Sequence, residues 1–396
     1  MKTSKLLLLL ALVPAACDPG VLNREVPEPA MDSVSLPEVA RLLSALPIGG
    51  EQLSEVHAAV SASSRNGYDE EYTMRDLFES PGAGVGDRAG KGTGATAQYD
   101  APLRSLIETY VRERYRTKAG ETDPEAVRAY LDALAASDAQ IYWPYSEEYD
   151  GKSLPVITFD PGGDATANVG YRTRVDGSGK RTVEEIVVDE DYARTHPVWV
   201  VNNNSDSGYA SLEMRRRADP DWGRGGEVLV KGGSGDDAEN SRMLVLKYFK
   251  MNRNYDSWFG GASEFFVKCG SMSGFKAKTE SEMQEYYPTI TDFMIVVKRK
   301  DLGSHRPFNA ILISDWTDQI EDFCLLVTED DGGTRTSWKC SASAKVQSKS
   351  YGFELDIPYH DRDDIVWRGT LSRHFFEKYS GVTGHFGDVE LTFGII

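Results

Sequence analysis

The chain has 396 residues, 40% of them hydrophobic and 27% charged, with 62 acidic against 44 basic side chains and a formal net charge of -18. That apolar share is enough to build packed cores, while the acidic balance repels nucleic acid, which needs a basic patch to bind. Four cysteines in this length exclude a scaffold built on disulfides.

The first residues, Met-Lys-Thr-Ser-Lys, are basic; an apolar run from Leu6 to Val13 follows, and then Pro14-Ala15-Ala16-Cys17. This is the pattern of a secretory signal peptide, and eight apolar residues are too few to cross a bilayer, which needs about 20. The cleavage site resembles a bacterial lipobox. The resemblance implies that residues 1–16 are removed and that Cys17 becomes the lipidated first residue, palmitate being one of its acyl groups. The plainer alternative is an ordinary signal with an incidental cysteine. Every later apolar run is interrupted by a charge, so the expected protein is a soluble body held at a membrane by lipid. Losing Lys2 and Lys5 with the signal moves the net charge from -18 to -20.

Residues 17–35 carry three Pro and one Gly, which suits an extended tether leading away from the lipid. Order is expected to begin at Ser35, a capping residue with Pro37 in the first turn, followed by Val39, Leu42, Leu43 and Leu46 at helical spacing. A second helix is expected over 51–63. The stretch 81–97 is rich in glycine but fails the phosphate-loop spacing, since Val85 stands where the first Gly should be and Gly92 follows Lys91; it reads as a linker. A helix over 101–116 and another capped by Asp123 with Pro124 at its start complete a helical region spanning 36–137.

From Gln140 the period changes from 3.6 to 2. Short strands at 141–145, 154–159, 169–175, 183–188 and 198–201, separated by turn sequences, predict a small antiparallel β unit over 138–218, with 202–208 as an exposed loop. Residues 219–240 form a Gly/Asp-rich linker. Eight further strands over 241–396 predict a two-sheet domain.

Within that domain, Met243 to Phe249 reads as a strand. A polar loop with Asp256, Trp258 and Gly260-Gly261 follows, then a second strand carrying Glu264. The order resembles the opening of a C2-type β-sandwich, in which acidic residues in a loop and at the start of the next strand bind calcium. Glu329 and Asp331 fall where that family places its Asp-x-Asp. The resemblance therefore implies an α+β protein with a C2-like C-terminal sandwich and calcium held by Asp256, Glu264, Glu329 and Asp331, oxygen donors of the type calcium takes. Acidic hairpin tips also occur for solubility alone.

No nucleophile elbow and no His-Glu-x-x-His occurs; His374, Glu377 and His385 are the nearest zinc-like set. Trp258, Trp316, Trp338 and Trp367 read as core, or as flat surfaces for a protein or glycan partner. A turn at 331–333 sets Cys324 opposite Cys340 in an antiparallel hairpin, at a spacing a disulfide can bridge, or else leaves them as two buried thiols. Taken whole, the chain resembles bacterial cell-envelope lipoproteins, anchored in the outer membrane more than in the inner one, with a periplasmic or surface-exposed body. The expected function is a non-enzymatic binding module for a protein, glycan or membrane ligand; the alternative is an envelope hydrolase with its site between the helical region and the sandwich.

Overall fold

The computed structural model describes residues 21–22, 34–79, 99–116, 120–204, 209–218 and 242–396. The signal peptide, Cys17, the glycine-rich stretch at 81–97 and the linker at 219–240 lie outside the described residues.

The expected helices form. They are α1 (Leu36–Ala45), α2 (Gly50–Arg65), α4 (Leu103–Arg114) and α5 (Pro124–Ala136), with a short α3 (Met74–Glu79) between α2 and α4. Asp123 caps α5 by accepting the amides of Glu125 and Ala126, both at 3.1 Å, satisfying two donors that a helix start leaves over. Ser35 occupies the cap position of α1 without a side-chain hydrogen bond.

These helices bury their apolar faces against one sheet. Val39, Leu42, Val56, Ile107 and Leu134 share a core with Ile141, Ile157, Trp199 and Val201. The sheet consists of β1 (Val21–Leu22), β2 (Glu71–Thr73), β3 (Ala139–Tyr142), β4 (Val156–Phe159), β5 (Ala167–Val175), β6 (Arg181–Asp189) and β7 (Val198–Asn203), in the order β1-β6-β5-β4-β7-β3-β2. Three features depart from the sequence reading. Strand β2 lies inside the region read as helical and pairs with β3, so the helical region and the β unit share one sheet and one core. Strands β4 and β7 run parallel, because the β5–β6 hairpin and the short α6 (Glu190–Ala193) carry the chain back between them, and the sheet is mixed. Residues 21–22, read as tether, pair along the edge of β6 opposite Ile186 and Glu185.

After α7 (Leu212–Ala218) the chain is β-rich. One sheet has the order β10-β9-β12-β13-β14, with β15 also paired to β12; the other has the order β11-β8-β17-β16. Their strands are β8 (Arg242–Met251), β9 (Ser263–Ser271), β10 (Thr289–Val297), β11 (Arg306–Trp316), β12 (Ile320–Glu329), β13 (Arg335–Val346), β14 (Lys349–His360), β15 (Asp364–Ser372), β16 (Thr383–Phe386) and β17 (Val389–Ile395), with α8 (Arg373–Tyr379) before β16. Alternation along the strands sends Leu244, Leu246 and Phe249 of one sheet and Phe265, Val267, Phe323 and Leu325 of the other into a common core. The chain is thus mixed α+β with a β-rich C-terminal region. Strand β9 is buried along its whole length, since its outer face is covered as well: a Cβ on Gly270 would come within 2.9 Å of Leu355.

The expected Cys324–Cys340 disulfide does not form, and Cys269, Cys324 and Cys340 are free thiols. Ile320 does face Ala344, the register that a turn at 331–333 predicts, but a bulge follows. Beyond it β12 pairs with β9 and β15, so Cys324 faces Gly270 and Thr370, while Cys340 faces Leu355 on β14. The two thiols remain neighbours, joined by a side-chain hydrogen bond rather than a disulfide, in a small apolar cluster with Leu326, Ala342 and Ile357.

Candidate carboxylate cation site

The loop between β8 and β9 is wedged between the N-terminal sheet and the C-terminal sheets. Trp258 and Phe259 pack with Tyr142, Val156, Ile186 and Val200, and the Trp258 indole donates to the Thr166 carbonyl at 3.0 Å. Asn202 belongs to β7 and is buried, where an exposed loop was expected; its amide donates to the carbonyls of Phe259 at 3.1 Å and Gly260 at 2.6 Å. Gly261 has φ +126°, and a Cβ there would stand 2.6 Å from Asp69 Oδ2, which accepts the Ala262 amide at 2.9 Å. Only glycine allows both that backbone and that approach. Arg299, just after β10, forks onto Glu190 at 3.0 and 3.2 Å and donates to the Asp256 carbonyl at 3.0 Å.

This anchoring places Asp256 beside the start of β9 and the end of β12, which are ladder neighbours with Glu329 opposite Phe265. Asp256, Glu264 and Glu329 each bring a carboxylate oxygen to within 4.8 Å of the others. Glu329 is 0% exposed, and among the described residues no N–H or hydroxyl donor reaches either of its oxygens or Asp256 Oδ2; what contact the two acids make is with each other, through a carboxyl proton. Ionised, such a group would forfeit its hydration for nothing. Burial first, and then the Asp256 charge, push the Glu329 carboxyl far up, to about 11. Burial also raises Asp256, to about 6; Asp331 and Asp69 add to that rise, while Glu329, acting as a proton donor, and the Arg299 guanidinium oppose it. Near neutral pH the pair therefore shares one proton.

Three of the four residues read from the sequence come together. The fourth, Asp331, is exposed on the hairpin tip and outside the group, but its charge raises both Asp256 and Glu329. Asp69 and Arg299 were not anticipated: they touch the loop from partners 193 and 43 residues away, and no local pattern marks them. His374, Glu377 and His385 do not belong to either of the metal-capable groups found among the described residues.

Chemically, the cluster offers hard oxygen donors to a cation. A cleft of about 640 Å³ lies elsewhere, between α3, α4 and α5; of the acids that line it, Glu108 is already paired with Arg104 at 2.8 Å and Arg112 at 3.1 Å, and Asp132 with Arg128 at 3.5 Å. No helix among the described residues is long and apolar enough to cross a membrane. Comparison with protein-family models, curated proteins and solved structures finds no match.

Proposed function

We propose that the chain is a lipid-anchored cell-envelope binding module, non-enzymatic, whose C-terminal sheets are C2-like and hold calcium through Asp256, Glu264 and Glu329, with Asp331 at the rim. The observation that carries this reading is Glu329: fully buried, with no N–H or hydroxyl donor on either oxygen, beside a half-buried Asp256 whose Oδ2 also lacks one. A divalent cation supplies what the fold withholds, since it compensates Glu329 and Asp256, which otherwise persist near neutral pH by sharing a proton. Calcium suits an all-oxygen set on a loop and two strand ends better than magnesium, which demands near-octahedral geometry and keeps its waters. The exposed acids around the site, Asp331, Asp361 and Asp364, would then present a protein, glycan or membrane ligand with a surface whose charge depends on the ion.

Calorimetric titration of the chelator-treated chain with calcium should show one site, and the melting temperature should rise with concentration. Glu329→Gln should abolish both effects. No heat and an unchanged melting curve up to about millimolar calcium, the weak end for extracellular modules, would sink the reading. The anchor is checked separately: wild type should take up labelled palmitate and Cys17→Ala should not, and equal labelling would remove Cys17 as the attachment point.

A further inference from the structure

Asp330, the residue after Glu329, serves a different group of side chains. Its hairpin tip is zipped to the β14–β15 turn: the Asp361 amide donates to the Thr334 carbonyl at 2.9 Å, and Asp361 Oδ1 accepts the Thr334 amide at 2.8 Å. A Cβ on Gly333 would lie 2.3 Å from that oxygen, so the two turns close upon each other only because residue 333 is glycine. Between them stand Asp330, His360 and Asp363.

We propose that Asp330, His360 and Asp363 form a second metal site, selective for a zinc-type divalent ion and independent of the three-carboxylate cluster. His360 Nδ1 faces Asp330 Oδ1 at 3.5 Å and Asp363 Oδ1 at 3.7 Å. Those separations are long for hydrogen bonds. They are close to the edge of a tetrahedron with metal–ligand bonds of about 2.1 Å, which is roughly 3.4 Å. The Asp363 side chain is 1% exposed, and its Oδ1 has no hydrogen-bond donor, whereas Oδ2 accepts the His360 amide at 2.9 Å and fixes the carboxylate's orientation. Asp330, 3% exposed, accepts the Gly332 amide at 3.2 Å on Oδ1, the same oxygen that faces the imidazole, so that oxygen is held in place by the backbone. Asp363 thus spends one oxygen on the backbone and leaves the other without a donor, Asp330 offers an oxygen that already carries one amide, and the ring nitrogen stands against both. The half-buried imidazole leaves one side open for a water as fourth ligand. A nitrogen donor between two carboxylates favours zinc, cobalt or nickel over calcium, which takes oxygen.

The test uses the full chain stripped with chelator and titrated with zinc, then with cobalt as a spectroscopic probe. One equivalent should bind, cobalt should give the intense visible absorption of a four-coordinate ion, and excess calcium should not displace it. His360→Gln and Asp363→Asn should each weaken zinc by at least roughly tenfold, the loss seen even when an outer-shell partner is removed, while Glu329→Gln leaves zinc binding intact. Circular dichroism checks that each variant is folded; Asp363→Asn perturbs the turn, so His360→Gln, at a strand end, is the decisive one. Absence of zinc binding overturns the proposal. So does zinc that survives His360→Gln but is lost in Cys340→Ser, which would place the ion on the thiols.

Discussion

Glu329 keeps a proton that its unfolded counterpart would release, because burial and the neighbouring Asp256 both penalise its charged form. With a folded pKa of about 11 above an ordinary value of 4.5, its contribution to stability is complete below the unfolded value and is lost as pH rises toward the folded one. Asp256 acts in the same direction over a narrower window, from 3.8 to about 6. Between about pH 5 and 8 the cation-free chain should therefore lose on the order of 1 kcal/mol per pH unit through Glu329. Glu329→Gln has nearly the shape of the protonated acid and cannot ionise. In urea melts with chelator present, the stability of the variant relative to wild type should rise steadily with pH; parallel profiles would show that residue 329 is not protonated in the fold. Saturating calcium should flatten or reverse the wild-type slope, since the ion competes with that proton and binds more tightly as pH rises.

Each element's legibility in the sequence depended on how locally its causes act. The Asp123–Pro124 start of α5 was readable because cap and first turn lie within four residues of each other. Strands β7 and β9 were readable because burial on both faces demands continuous apolar runs such as Val198 to Val201. Eight strands were expected over 241–396 and ten form among the described residues, β15 and β16 being the additions: in β15, Ile365-Val366-Trp367 follows the acidic run 361–364, and its exposed and buried residues alternate too weakly to outweigh that run. The disulfide failed for a non-local reason. The register was right at Ile320, but β12 has two better neighbours, and β13 spends its ladder on β14. At the candidate site, Asp256, Glu264 and Glu329, singled out by their order along the chain, each bring a carboxylate oxygen to within 4.8 Å of the others. Their anchors, Asp69 and Arg299, come from other elements, and the wedge they form between two sheets has no sequence signature.

For the molecule as a whole, the junction at the β8–β9 loop decides whether the N-terminal and C-terminal parts unfold together. Trp258 and Phe259 pack into the N-terminal sheet, and Tyr68 joins Phe266 and Met294 in a second shared cluster. Two adjacent cations add polar ties: Lys298 Nζ to Glu70 Oε1 at 2.6 Å, and Arg299 to Glu190. With both apolar bridges in place, the wild type should melt in one cooperative transition. Arg299→Met keeps much of the aliphatic volume but removes one of the partners of Glu190 and frees the Asp256 carbonyl. Breaking a fully buried ion pair costs about 3–5 kcal/mol. Glu190 is 25% exposed and retains Tyr145 and Arg194 as partners, so a smaller loss, on the order of 1–3 kcal/mol, is expected. The guanidinium also holds Asp256 below the value that burial alone would give it. Its removal should raise that carboxyl further and shift the onset of calcium binding to higher pH. Scanning calorimetry and calcium titration over a pH series read both effects in one variant: a lower or split transition, and a binding midpoint displaced upward. If Arg299→Met melts as the wild type does and binds calcium with the same pH profile, then Arg299 neither joins the two parts nor poises Asp256, and the loop is held by its apolar anchors alone.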